Sequence, residues 1–181
     1  ALLSGVRRGR RRADSDPYVE EIMLTVAQVA ATIDHAALKP AMTDDDIKHA
    51  CDIGKRYGVA TVCVRPSDVR LAAAELEGSS VGLSAVVGFP HGGTLASVKA
   101  FEAEKLVELG AVELDMVMNI GRFLSGDFAS VERDIAEVVR IAHERSALVK
   151  VIFEVCYHTD AQIADACRLS EQAGADFVKT S

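Results

Sequence analysis

Six short, β-rich apolar runs recur along the chain, and an amphipathic stretch separates each from the next. They cover residues 33–38, 59–64, 81–87, 111–118, 147–153 and 175–179. Strands buried on both faces read as near-continuous Val, Ile and Leu, as VGLSAVVG and LVKVIF do here. Strands that alternate with helices specify a parallel sheet. The helix signals between the runs are local. Thr43 supplies an N-cap, Asp44, Asp45 and Asp46 place acids in the first turn, and Ile47, Ala50, Cys51 and Gly54 share one face. Pro66 sits at the mouth of a second helix, where a missing N–H costs little. Residues 94–109 predict a third, with Leu95, Val98, Phe101, Leu106 and Leu109 as its apolar face. A fourth starts at Ser125 or Ser130 and runs to His143, and a fifth spans 159–173 behind a Thr159 cap. Gly58, Gly110 and Gly174 each stand just before a strand, where a helix C-cap requires φ > 0.

Composition narrows the class. With 181 residues, 49% apolar and 26% charged, the chain is one ordinary globular domain rather than a disordered one. A net charge of −7 argues against a nucleic-acid partner for its body. No apolar run approaches the roughly 20 residues of a membrane helix, so no membrane partner is expected. Cys51, Cys63, Cys156 and Cys167 form no C-x-x-C pair, and no apolar secretory signal is present. Reduced thiols and a cytoplasmic location are expected. Residues 1–22 contain the run RRGRRR and read as a basic, disordered extension, with the folded domain over 23–181.

Two architectures fit a parallel βα repeat: an open doubly wound sheet and a (β/α)8 barrel. The first wants a Gly-rich phosphate turn, and neither G-x-G-x-x-G nor a Walker A motif is present. The second explains charges inside strands. Glu113 and Asp115 lie two apart in one run, Lys150 and Glu154 frame another, and Lys179 ends the last. Residues two apart in a strand share a face. Buried charges are costly unless paired or functional, and barrel enzymes draw their chemistry from strand C-terminal ends. Lys179 follows apolar Phe177 and Val178 at a strand end, where burial would lower the pKa of its amine. Lys150, on the neighbouring strand, would add a cationic effect or pair with Asp115. His35, His91 and His158 read as structural or site-lining, and Cys63 and Cys156 as core thiols.

At these residues the chain resembles the deoxyribose-phosphate aldolase family. The matching segments are IDHAALKP (33–40), TVCVRPSDV (61–69), VVGFPHGG (86–93), VELDMVMNIG (112–121), VKVIFEVCY (149–157) and AGADFVKTS (173–181), in family order. The resemblance implies a (β/α)8 TIM-type barrel and a class I aldolase with no metal or other cofactor. It implies reversible cleavage of 2-deoxy-D-ribose 5-phosphate to acetaldehyde and D-glyceraldehyde 3-phosphate, in carbohydrate degradation. By resemblance Lys179 forms the Schiff base, Asp115 takes part in proton transfer, Lys150 lies near that relay, Asp34 lines the site, and Thr180 helps hold substrate. The expected break lies between C3 and C4 of the sugar. Phosphorylated sugar and aldehydes are the implied partners, with a homodimer as the implied assembly.

Six β/α units are visible where such a barrel has eight, and the family's second lysine, on a seventh strand, has no counterpart here. The chain is therefore expected to be incomplete at its C-terminus. Two other functions stay open: an inactive barrel fragment that acts only by association, and a Schiff-base aldolase of different specificity.

Overall fold

The structure, a computed structural model, describes residues 24–180. The basic run at 7–12 lies outside the described residues.

All six runs form strands, trimmed at their ends: β1 (Asp34–Ala37), β2 (Thr61–Val64), β3 (Gly82–Val87), β4 (Glu113–Val117), β5 (Leu148–Ile152) and β6 (Phe177–Lys179). They make one sheet in sequence order, and every neighbouring pair is parallel. Helix α1 (Val26–Ala30) precedes β1. Crossovers run through α2 (Asp44–Tyr57), α3 (Val69–Leu76), α4 (Ala96–Glu108), α5 (Ile120–Leu124), α6 (Phe128–His143) and α7 (Asp160–Gln172). The expected fourth helix is thus a pair, and Asp127 rather than a serine caps its longer member. Thr43 and Thr159 both close capping boxes, with Asp46 and Gln162. Gly58, Gly110 and Gly174 all take positive φ at helix ends that lead into strands. Among the described residues no helix is long and apolar enough to cross a membrane.

The sheet curls. Five inter-strand steps of about 4.8 Å would hold β1 and β6 roughly 24 Å apart in a flat sheet. Yet the Lys179 ammonium on β6 lies 3.2 Å from the Asp34 carboxylate on β1. The strand pleat then sorts side chains by parity. Val62, Val64, Ala85, Val87, Leu114, Met116, Val149 and Val151 face the helices and belong to one apolar core. The alternate positions, Thr61, Cys63, Ser84, Glu113, Asp115 and Lys150, turn to the concave side. The charges inside the strands are therefore not core defects; they occupy the inner face of the curl.

Helix α4 departs from the expected pattern. Leu95, Val98 and Phe101 are exposed, and the buried face is Lys99, Ala103 and Leu106. A fully buried lysine hid that face from the hydrophobic pattern. Lys99 Nζ donates to Asp134 Oδ2 of α6 at 2.6 Å and to the Val117 carbonyl of β4 at 2.9 Å. It thereby ties α4 and α6 to the end of the strand that carries Asp115. Burial pushes the Asp134 carboxyl above the usual range, against the pull of Lys99. Removing one member of a buried pair strands the other's charge, at about 3–5 kcal/mol. Lys99→Met is expected to lower the unfolding free energy measured by denaturant titration by an amount of that order, and adding Asp134→Leu should restore much of the loss.

Candidate active site

Five ionisable side chains from four strands converge on the concave side. Lys179 Nζ donates to Asp115 Oδ2 at 2.5 Å and to Asp34 Oδ2 at 3.2 Å. Lys150 Nζ donates to the same Asp34 oxygen at 3.0 Å and to Glu113. Its distance to Asp115 Oδ1 is 3.7 Å, long for a hydrogen bond. The register explains the meeting. Asp115 stands opposite Lys150, which stands opposite Phe177, and Lys179 lies two residues on along β6. The curl brings Asp34 across from the far side of the sheet.

The members differ in burial and so in chemistry. The Asp115 side chain is 1% exposed, whereas Lys179 is 30% exposed and open to a reactant. Burial raises the Asp115 pKa above the carboxylate range, although the Lys179 hydrogen bond opposes it. Its Oδ1 is buried and accepts no hydrogen bond from the described residues. Asp34 shifts the other way. Burial would raise it, but hydrogen bonds from Lys150 and Thr61 and the two ammonium charges together hold it below its ordinary value.

Lys179 overturns the expectation of a depressed lysine. Burial does favour its neutral amine, yet the hydrogen bond and charge of Asp115, with the charge of Asp34, outweigh that and raise its pKa. Lys150 does not reverse the balance, since its own ammonium is held by Asp34 and Glu113. Within the described chain Lys179 rests as an ammonium clamped by carboxylates.

Of the expected site residues, Lys179, Asp115, Lys150 and Asp34 come together. Thr180 follows β6, is exposed, and joins no hydrogen bond of the cluster. Glu113 stood out in the sequence as a strand charge, but its bond to Lys150 depends on the β4–β5 register. Thr61 and Cys63 gave no such signal. Thr61 Oγ1 donates to Asp34 Oδ1 at 2.9 Å, and Cys63 Sγ lies 3.7 Å from Asp115 Oδ2. Cys63 is thus a site thiol as well as a core one. Burial and the Asp115 charge push its pKa up to about 12, so it stays protonated and is no nucleophile at neutral pH. His158 packs edge-on against Phe123, with Nε2 3.0 Å from the Phe153 carbonyl, a structural placement.

Toward the C-termini of β1, β2 and β3 lies a mostly apolar cavity of about 720 Å³. Ala36, Leu38, Val86 and Phe89 line it. Ala36 is two residues beyond Asp34, and Val86 stands opposite Asp115, so cavity and cluster share one face.

The sequence profile of the DeoC/LacD family aldolases matches residues 28–181. Deoxyribose-phosphate aldolase from Thermococcus gammatolerans is 51% identical over 155 residues, covering 84% of this chain and 69% of the relative. The same enzyme from Aciduliprofundum boonei is 49% identical over 154 residues, covering 85% and 69%. Among solved structures, the deoxyribose phosphate aldolase of Aeropyrum pernix, described as a tetramer, superposes with a TM-score of 0.80. It is 32% identical, and the match covers 87% of this chain and 65% of that one. The chain thus spans about two thirds of the length of these relatives.

Proposed function

The chain belongs to the DeoC/LacD aldolase family, and from that premise we propose that it is a class I aldolase that cleaves 2-deoxy-D-ribose 5-phosphate reversibly to acetaldehyde and D-glyceraldehyde 3-phosphate. The observation that carries this reading is the amine of Lys179 held against a buried carboxylate, Asp115, on the inner face of the curled sheet. An amine, a carboxylate within hydrogen-bond reach and a second cation are the parts that imine chemistry needs.

The steps follow from these groups. Lys179, once deprotonated, adds to the C1 aldehyde of the open-chain sugar, and the carbinolamine loses water. The protonated imine draws electrons from the C2–C3 bond as the C3 hydroxyl gives up its proton. That bond breaks, and not C3–C4 as expected from the sequence, because acetaldehyde takes two carbons and glyceraldehyde 3-phosphate three. Asp115 Oδ1, which accepts no hydrogen bond among the described residues, takes the hydroxyl proton through one water. The raised pKa of Asp115 lets it hold that proton and return it to C2 of the enamine. Hydrolysis of the imine then frees acetaldehyde. Lys150 balances Asp34 and Glu113 beside the reaction and fixes their orientation. The four cysteines are free thiols, which suits the cytoplasmic setting we assign.

The sign of the pH dependence is fixed by Lys179. Its raised pKa means that only a small fraction is free amine at neutral pH, and that fraction grows about tenfold per pH unit. Borohydride trapping of the acetaldehyde imine should accelerate in that proportion from pH 7 upward while the fold persists. A rate that levels off near neutrality would contradict the clamped ammonium.

Release of glyceraldehyde 3-phosphate, followed with a coupled dehydrogenase, tests the substrate. Turnover of 2-deoxyribose 5-phosphate well above that of other aldehyde adducts is expected. A preference for a different adduct would keep the Schiff base and reassign the specificity.

A further inference from the structure

Arg65 takes no step in this reaction, yet its guanidinium is almost wholly committed. It stands just past β2, and the following Pro66 keeps it extended, with φ −69° and ψ 153°. Nε donates to Asp68 Oδ2 at 2.5 Å. Nη1 donates to the carbonyls of Lys39 and Pro40 at 3.1 and 2.9 Å, and Nη2 to that of Met42 at 3.0 Å. The pair is well covered, with side chains 22% and 10% exposed, and Ser67 Oγ donates to the other Asp68 oxygen at 3.2 Å. Three carbonyls of the β1–α2 loop are thus fastened to the end of β2 by one side chain.

That loop is a wall of the cavity at the strand C-termini: Leu38, Lys39 and Pro40 line it, as does Arg65 itself. Its backbone holds itself through one short turn, the Met42 N–H to the Lys39 carbonyl at 3.1 Å. The cavity continues through Ala36 and Val86 to the face that carries Asp34 and Asp115.

We propose that Arg65 is a positioning residue for the aldol cleavage: by clamping residues 39–42 it fixes the cavity wall along which the open-chain sugar lies while Lys179 attacks C1. The inference rests on the aldolase reading above. Arg65 acts through the loop, because its donors are spent on carbonyls and Asp68 and its guanidinium is not aimed at substrate. Three guanidinium nitrogens here reach four separate acceptors, whereas a lysine carries its donors on one nitrogen. An unclamped loop must be ordered by the substrate, a cost that falls on binding rather than on chemistry.

The test compares steady-state cleavage of 2-deoxyribose 5-phosphate by the parent, Arg65→Ala and Arg65→Lys, with amide hydrogen exchange read over residues 41–44. The expected result is a rise in KM of about tenfold for Arg65→Ala with kcat within about threefold, and faster exchange confined to the loop. Arg65→Lys should fall between the two, and it carries the test alone if the alanine variant fails to fold. A merely structural role would lower thermal stability and leave KM unmoved, which overturns the clamp. Equal losses in kcat and kcat/KM would also overturn it, since they place Arg65 in the transition state. A parent that does not cleave the sugar overturns the aldolase reading itself, a result separable from failure of the clamp.

Discussion

Lys179→Leu is expected to abolish borohydride-trappable imine and to cut cleavage of 2-deoxyribose 5-phosphate by about 10⁴-fold or more. Of the two amines in the cluster, Lys179 is 30% exposed and Lys150 12%, so Lys179 is the one more open to the aldehyde carbon. Leucine also removes the cation that faces Asp115, a buried carboxylate, so stability will fall together with activity. Lys179→Arg separates the two effects. It keeps a positive charge beside Asp115 and Asp34 but offers no free amine at any working pH. A folded Lys179→Arg protein without imine assigns the loss to chemistry. Imine formation at the parent's rate in either variant would remove Lys179 from the role of nucleophile.

Asp115→Asn is expected to act in opposite directions on the two halves of the reaction. Cleavage should fall by about 10²–10⁴-fold, the usual worth of a positioned proton-transfer group. Imine formation with acetaldehyde at pH 7 should become faster than in the parent. The hydrogen bond and charge of Asp115 lead the effects that hold the Lys179 proton against burial. Their removal lets burial lower the pKa, and each unit of decrease gives about ten times more free amine. Rapid-quench trapping beside steady-state turnover reads both halves. If trapping and turnover fall together, Asp115 is needed to position Lys179 rather than to hold back its proton.

Much of this site was legible in the sequence because the pleat imposes a period of two. Charges at 113 and 115, at 150 and at 179 could not all sit in a helix-facing core, so a charged inner face was required. The glycines at 58, 110 and 174 marked the strand starts, and all adopt positive φ. What stayed hidden depends on relations between strands. Thr61 reaches Asp34 because the two are opposite in the β1–β2 register, and no local pattern states that register. Cys63 looked like a core thiol from composition alone; its parity places it beside Asp115. On α4 the apolar count favoured Leu95, Val98 and Phe101, and a lysine on the true inner face disguised it. The error over Lys179 was one of balance. Burial was read correctly as lowering its pKa, but the carboxylates that outweigh burial come from β1 and β4, whose distance from β6 only the curl sets.

In the proposed reaction the amine at the end of β6 becomes covalently bound to the substrate aldehyde. Peptide mass mapping after incubation with acetaldehyde and borohydride tests it most directly. One stable N-ethyl group is expected, on Lys179, with Lys150 unmodified. Modification of Lys150 in place of Lys179, or a folded, active protein carrying no adduct, would contradict it.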